Sequence, residues 1–300
     1  MFKPRSIQSS LSLKDKIISI DYILVFSIFI LGLTSILAMY STDGGELKYH
    51  TNSHILRFFI FFGMFIFFSF IQLRFWHSQS YLIYFVIFIL LLGVKYFGLT
   101  SSGSRRWLDL YFMNLQPSEL MKIGLILFLS KYYHRISIEN INKIRFLFLP
   151  IVVLIAPIIL VATQPDLGTS ILIAAGGLTV AWLAGVRIKF FAYSFLAFIA
   201  ILPVAISFLK PYQKSRILTF LNPERDPLGA GYQIIQSKIA IGSGGLFGKG
   251  FLQGSQSYLD YLPEKHTDFI FTLFSEEFGF FGSLFILLLY AVIVWRIVKI

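Results

Sequence analysis

The sequence predicts an all-α polytopic membrane protein of about eight transmembrane helices, and three observations predict it. Of 300 residues, 56% are hydrophobic and 18% aromatic against 14% charged, and mean hydropathy is +0.75, far above an ordinary soluble domain. Eight apolar runs are each long enough to cross a hydrocarbon core of about 30 Å, which takes roughly 20 helical residues. Lys and Arg cluster in the short connections of one side, while the turn at 163–168 on the other side has neither, the pattern of the positive-inside rule. The net charge of +11 is therefore read against the bilayer, with no nucleic-acid partner implied. The absence of Cys excludes disulfides, thiolate metal sites and thiol nucleophiles.

Residues 1–16 are basic and polar without the short apolar core and small-residue cleavage site of a removable signal, so the run at 19–40 is the first span and its own insertion signal. The runs at 54–73, 79–98, 117–133, 145–163, 168–186, 189–209 and 268–295 follow as the other seven. Pro117 suits the first turn of the fourth. Pro165 ends the fifth, and Asp166 can cap the sixth by accepting its free backbone donors. Lys3, Arg5, Lys14 and Lys16, then Lys131, Arg135, Lys143 and Arg145, then Arg187 and Lys189, then Arg296 and Lys299 all fall on one side if the chain alternates. That side is cytoplasmic, so both termini are inside and residues 99–116 and 210–267 face out. With no internal repeat and no linker, residues 1–300 read as a single transmembrane domain carrying one large extracytoplasmic loop.

Polar residues concentrate in four stretches. In GSRRWLDL, 103–110, Arg105 and Arg106 offer forked donors suited to phosphate oxygens, and Trp107 can stack on a sugar face. A plain basic-aromatic anchor at headgroup depth is the simpler alternative. In QPSELMK, 116–122, Glu119 and Lys122 stand three residues apart on one helix face, just inside an apolar run, where ionisable groups are costly unless paired or facing a wet cavity. In TQPDLGTS, 163–170, a re-entry turn with an N-cap accounts for the residues without chemistry.

The fourth stretch, 211–268, is the long loop. GYQIIQSKIAI sets Ile234, Ile235, Ile239 and Ile241 against Gln233, Gln236 and Lys238, the pattern of an amphipathic helix at the membrane interface. GSGGLFGKG, with Lys249, frees backbone donors to approach an anion, although it lacks the first Gly and the final Ser or Thr of a nucleotide P-loop. A flexible lid is the alternative there. LPEKHTDF leads into the last span and places Asp268 at the membrane surface, partly desolvated, where it can act as a base on a hydroxyl within reach or simply cap the helix. His266 reads as polar surface, and Glu276 and Glu277, about two turns further in, as buried pairing or cavity groups.

RWLDL with QPSELMKIGLIL, QPDLGTS, the run from YQKSRILTFLNPERDPLGAGYQ to GSGGLFGKG, and GSQSYLDYLPEKHTDFIFTLFSEEFG together resemble the shape, elongation, division and sporulation (SEDS) glycosyltransferases, the RodA and FtsW family. QSKIAIGSGG and GSQSYLDYLPE are closer to the RodA branch. The resemblance implies a bacterial plasma-membrane peptidoglycan glycosyltransferase that polymerises lipid II at the outer face for cell elongation and rod shape. It implies a class B penicillin-binding protein and other elongation-complex membrane proteins as partners. It makes Asp268 the essential acid, Trp107 a functional residue, and Glu119 with Lys122 the polar pair of the central cavity. Arg105, Arg106, Lys238 and Lys249 are expected to hold the leaving diphosphate, with room for a divalent cation such as Mg2+ beside them. The family has ten helices, so the last two are expected to be missing after the eighth run. A lipid II flippase and a non-catalytic synthase scaffold are the readings from other classes.

Overall fold

The computed structural model describes residues 13–101, 104–109, 114–207, 211–227, 229–255, 262 and 265–300. Lys3, Arg5, Gly103, Leu110, Pro263 and the run 256–261 lie outside the described residues. Among the described residues the chain is all-α apart from one small sheet. Its helices are α1 (Leu13–Ile18), α2 (Tyr22–Thr42), α3 (Tyr49–Ser69), α4 (Leu73–Phe97), α5 (Pro117–His134), α6 (Ile144–Thr163), α7 (Leu167–Leu183), α8 (Ile188–Ser207), α9 (Pro211–Leu221), α10 (Ala230–Ser243) and α11 (Ile270–Lys299). Among the described residues five of these, α2, α3, α4, α6 and α11, are long and apolar enough to cross a membrane. Helices α5, α7 and α8 occupy the other three predicted runs. This is a multi-pass membrane protein.

The helices form two compact units, Ile71–Pro203 and the pair of segments Met1–Phe70 with Val204–Ile300. The first has its core where α4, α5, α6 and α7 meet, around Leu91, Met121, Leu125, Leu129, Val161 and Ile173. Pro150 and Pro157 stand inside α6. A helical proline has no N–H, so the carbonyl four residues earlier loses its partner. Tyr132 donates to the carbonyl of Phe146 at 2.9 Å, and Tyr84 to that of Val153 at 2.8 Å. Both orphaned acceptors are thereby satisfied from neighbouring helices, as a bilayer interior demands.

In the other unit α11 packs against α2 and α10. The single run expected at 268–295 is a broken helix: Gly279 has φ 63 and ψ −158, outside helical geometry. The break frees the carbonyls of Glu276 and Glu277 and the N–H groups of Phe280 and Phe281. GSGGLFGKG fills all four places. Lys249 N and Gly250 N donate to the Glu276 and Glu277 carbonyls at 3.0 Å, while Phe280 N and Phe281 N donate to the carbonyls of Gly245 and Leu246 at 2.9 and 3.2 Å. The glycines permit this approach, since a Cβ on Gly248 would lie 2.0 Å from the Glu277 carbonyl oxygen and one on Gly244 2.3 Å from that of Ser275. The expectation of a loop open to an anion is thus corrected: its backbone donors at 248–250 are held by protein carbonyls.

Helix α10 is also placed differently from the amphipathic pattern. Ile239 and Ile241 are exposed, while Gly231, Ala240 and Gly244 are buried and Ser237 Oγ meets Thr272 Oγ1 at 2.9 Å. Small residues let two helices approach closely where larger ones cannot, and here they set the buried face.

Candidate functional site

Within the stretch expected as a loop, three antiparallel strands form a sheet: β1 (Leu99–Ser101), β2 (Ser104–Asp109) and β3 (Asn114–Leu115). Leu99 pairs with Trp107 and Leu108 with Leu115. Successive strand residues face opposite ways, so the two arginines cannot act as one fork. Arg105 and Trp107 share the exposed face, with Trp107 37% exposed. Arg106 faces the other way. Its Nη2 donates to the Pro165 carbonyl at 2.5 Å and its Nε to that of Gln164 at 3.3 Å, and Nη1 lies 3.9 Å from Asp166 Oδ2. Instead of reaching outward for phosphate, Arg106 clamps the turn between α6 and α7, whose carbonyls would otherwise be unpartnered at the helix end.

Asp166 is the N-cap of α7, accepting from Thr169 N at 3.3 Å, and Gln116 Nε2 donates to its other oxygen at 3.3 Å. Pro117 opens α5, and Lys122 Nζ donates to Glu119 Oε2 at 2.7 Å. Glu119 lies in the first turn, where a helix favours negative charge. The lysine end of this pair is the more covered, at 28% exposure against 52%. An ion pair this open to solvent adds little to stability, so its placement at the head of α5 calls for another account.

In the unit containing α11, Asp268 lies in the turn 265–269 and is exposed. Helix α11 begins at Ile270 with Phe269 as its N-cap and no side-chain capping bond. The capping reading of Asp268 therefore fails. Lys238 is exposed on α10. Among the described residues no bond joins Asp268 to Lys238 or Lys249.

Lys249 is turned inward. Its Nζ donates to Glu276 Oε1 at 2.6 Å and to Ser255 Oγ at 2.8 Å, and Ser255 N and Oγ also donate to that carboxylate at 3.0 and 2.7 Å. Glu276 is 0% exposed, and a carboxylate so enclosed requires a cation beside it. The phosphate contact expected of Lys249 is replaced by this internal one. Glu277, equally buried, accepts a hydrogen bond from Ser41 Oγ. Both glutamates are the buried pairing groups that their depth suggested.

One group escaped the sequence. His266, expected as polar surface, is held by Thr42 Oγ1 at 3.0 Å, stacks on His50 with centroids 4.3 Å apart, and faces Asp43 Oδ1 at 3.7 Å. Asp43 is 5% exposed and accepts from Thr51 N and Oγ1 at 3.0 and 2.6 Å. A lone Asp between two apolar runs, next to a glycine pair, looks like a turn residue, and nothing local links it to a histidine more than two hundred positions on. Among the described residues no three His, Asp or Glu side chains converge as a cation cage.

This arrangement can be set beside known proteins. MrdB of Escherichia coli strain K12, a peptidoglycan glycosyltransferase, is 46% identical over 219 residues, 71% of this chain and 58% of that protein. The probable peptidoglycan glycosyltransferase FtsW of Buchnera aphidicola subsp. Schizaphis graminum is 38% identical over 257 residues, 84% of this chain and 72% of that one. The chain thus spans a little over half the length of MrdB. Among solved structures, a peptidoglycan synthase complex described as coordinating polymerization and crosslinking matches with a TM-score of 0.73 and 26% identity, over 93% of this chain and 77% of that one. Thermus thermophilus RodA matches with a TM-score of 0.64 and 22% identity over 93% of this chain and 74% of that one, a likeness of fold alone. The family model that describes FtsW, RodA and SpoVE cell cycle proteins matches residues 16–300, and the chain belongs to that family.

Proposed function

We propose that the chain is a peptidoglycan glycosyltransferase of the RodA branch, polymerising lipid II at the outer face of the bacterial plasma membrane, with both termini cytoplasmic. The observation that carries the proposal is Asp268, a carboxylate exposed in the turn before a membrane helix and without the capping duty that would explain it. It acts as general base on the acceptor 4-hydroxyl. The acceptor oxygen forms a bond to the anomeric carbon of the second sugar as the bond from that carbon to the diphosphate breaks. The proton goes to Asp268, undecaprenyl diphosphate leaves, and the anomeric centre inverts.

Charge accumulates on the departing diphosphate, and cations near it lower the barrier. Arg105 and Lys238, both exposed, and Lys122, neutralised at rest by Glu119, are the side chains proposed for that contact. Trp107 offers its face to a sugar. Each within its own unit, Arg106 holds the turn before α7 and Lys249 the loop over α11. A polyprenyl tail remains in the bilayer while the headgroup reaches such residues, which is why a membrane protein suits this substrate. A class B penicillin-binding protein is the proposed partner, in keeping with the likeness to a synthase complex that coordinates polymerization and crosslinking.

D268N, purified in detergent and given lipid II with and without that partner, is expected to form no polymer while keeping the wild-type thermal midpoint. Polymer made by D268N would remove Asp268 from the role. Detergent also separates polymerisation from transport, because a flippase has no bilayer to work across.

A further inference from the structure

Asp268 is the second residue after His266 in the turn 265–269, and the first turn of α11 is not pinned by a capping side chain. His266 is tied instead to the other helices of its unit. Thr42 Oγ1 lies 2.7 Å from the Met39 carbonyl and donates its one proton there, so toward His266 Nδ1 it can only accept. The bond network therefore assigns the proton of the imidazole to Nδ1. The other nitrogen, Nε2, faces Oδ1 of Asp43, whose Oδ2 is already held by Thr51.

A neutral ring would turn a bare lone pair toward a buried carboxylate. A protonated ring turns N–H toward it and supplies the counter-charge that an enclosed Asp43 otherwise lacks. Among the described residues, the charged and titratable groups around His266 include Asp43 at the end of α2, His50 stacked on it from α3, and Lys265 with Asp268 in its own turn. Glu46 and Lys48, in the connection from α2 to α3, face one another at 3.5 Å.

We propose that Asp43 and His266 form a charge-paired latch that holds the Asp268 turn in its working position, and that the latch is closed while His266 is protonated. The inference rests on the reading of Asp268 as the base. His266 is a positioning residue in this scheme: it touches no substrate, and acts by fixing where the Asp268 carboxylate stands. Misplacing a base by about 1 Å is enough to lower turnover on the order of 10- to 100-fold. As pH rises and the imidazolium is lost, the ring no longer pairs with Asp43, and turnover falls.

The test is lipid II polymerisation in detergent by the whole chain with a class B penicillin-binding protein, from about pH 6 to about pH 9, the range in which a histidine titrates. Four proteins are compared: wild type, H266Q, D43N and D268N. H266Q keeps a donor for Thr42 and loses the charge. It is expected to lower kcat roughly 10-fold or more, to leave KM for lipid II within about twofold, and to abolish the alkaline decline of the wild type. D43N, which keeps the histidine and removes its counter-charge, is expected to move that decline to lower pH.

H266Q with wild-type kcat, beside an inactive D268N, overturns the latch and leaves the base intact. H266Q with uniformly reduced activity and an unchanged alkaline limb also overturns it, since a merely structural side chain lowers rate without reshaping the profile. If H266Q does not fold, D43N decides, because an alkaline limb in D43N identical to wild type refutes the pairing. Polymer from D268N overturns the base reading and the latch with it.

Discussion

Lys249 and Glu276 form a pair whose two members differ in what they can tolerate. Lys249 reaches solvent with a third of its side chain, whereas Glu276 is sealed in by Ser255, Gly254 and the broken helix. Removing the lysine alone takes the Lys249 cation from this enclosed carboxylate, a loss typically of about 3 to 5 kcal/mol for a buried pair. K249M should therefore lower the thermal midpoint in detergent by many degrees. E276Q added to it should restore much of the loss, because an amide needs no counter-charge; two effects that simply add would refute the pairing. Individual residues were legible in the sequence where the signal was local. Pro117 at the start of α5, the Asp166 cap and the Glu119 to Lys122 pair each follow from spacings of three or four positions. Arg106, Lys249 and His266 were not, because their partners are set by packing: the one bond from Thr42 to His266 joins residues 224 apart. That Arg105 and Arg106 face opposite ways was missed for a narrower reason. SRRWLD carries no apolar alternation to mark it as a strand, and without the strand the opposite facing of neighbours is invisible.

Among the elements, α6 shows how two helix-breaking residues survive in one apolar helix. Pro150 and Pro157 each leave a carbonyl without its N–H, and Tyr132 and Tyr84 supply a hydroxyl to each. Y84F deletes a hydroxyl from a side chain that is 3% exposed and strands the Val153 carbonyl in the core. The expected loss is on the order of 1 to 3 kcal/mol, read as a lowered thermal midpoint with lipid II polymerisation unchanged at low temperature. A Pro157→Ala change combined with Y84F should cancel most of it, since the restored N–H takes the same carbonyl. Hydropathy located every long helix, although α3 and α4 begin at Tyr49 and Leu73, earlier than the expected 54 and 79, because burial in lipid selects on composition, which a sequence displays directly. It did not reveal the break at Gly279. A glycine between Phe278 and Phe280 looks like any small residue in an apolar run, and only the four exchanged backbone bonds with 245–250 show that it ends one helix and starts another.

At the scale of the whole molecule, the unit built from both chain ends is fastened at two levels along α2. Near one end Arg296 Nη2 and Nε reach Asp21 Oδ2 at 2.6 and 2.8 Å; near the other, Ser41 meets Glu277 and Asp43 faces His266. Asp21 and Ser41 are twenty helical positions apart, roughly 30 Å at 1.5 Å per residue, which is about the thickness of a hydrocarbon core. Polar fastenings thus sit where the apolar span ends, with one more between them, where Ser35 Oγ of α2 meets His54 Nε2 of α3 at 2.8 Å. The Asp21 carboxyl is held below its ordinary value of 3.8, first by the hydrogen bond from Arg296 and then by the N–H of Leu24. A group whose folded value is lowered contributes stability that is present above the unfolded value and is lost as pH falls through the folded one. Wild type should accordingly be more stable than D21N at neutral pH, by an amount independent of pH down to about 4. Below 3.8 the two should converge as the carboxylate takes up a proton and the pair with Arg296 dissolves. Thermal midpoints of both proteins measured across that range decide it, and a gap that persists undiminished in acid would mean that Asp21 stabilises the unit by shape and not by charge.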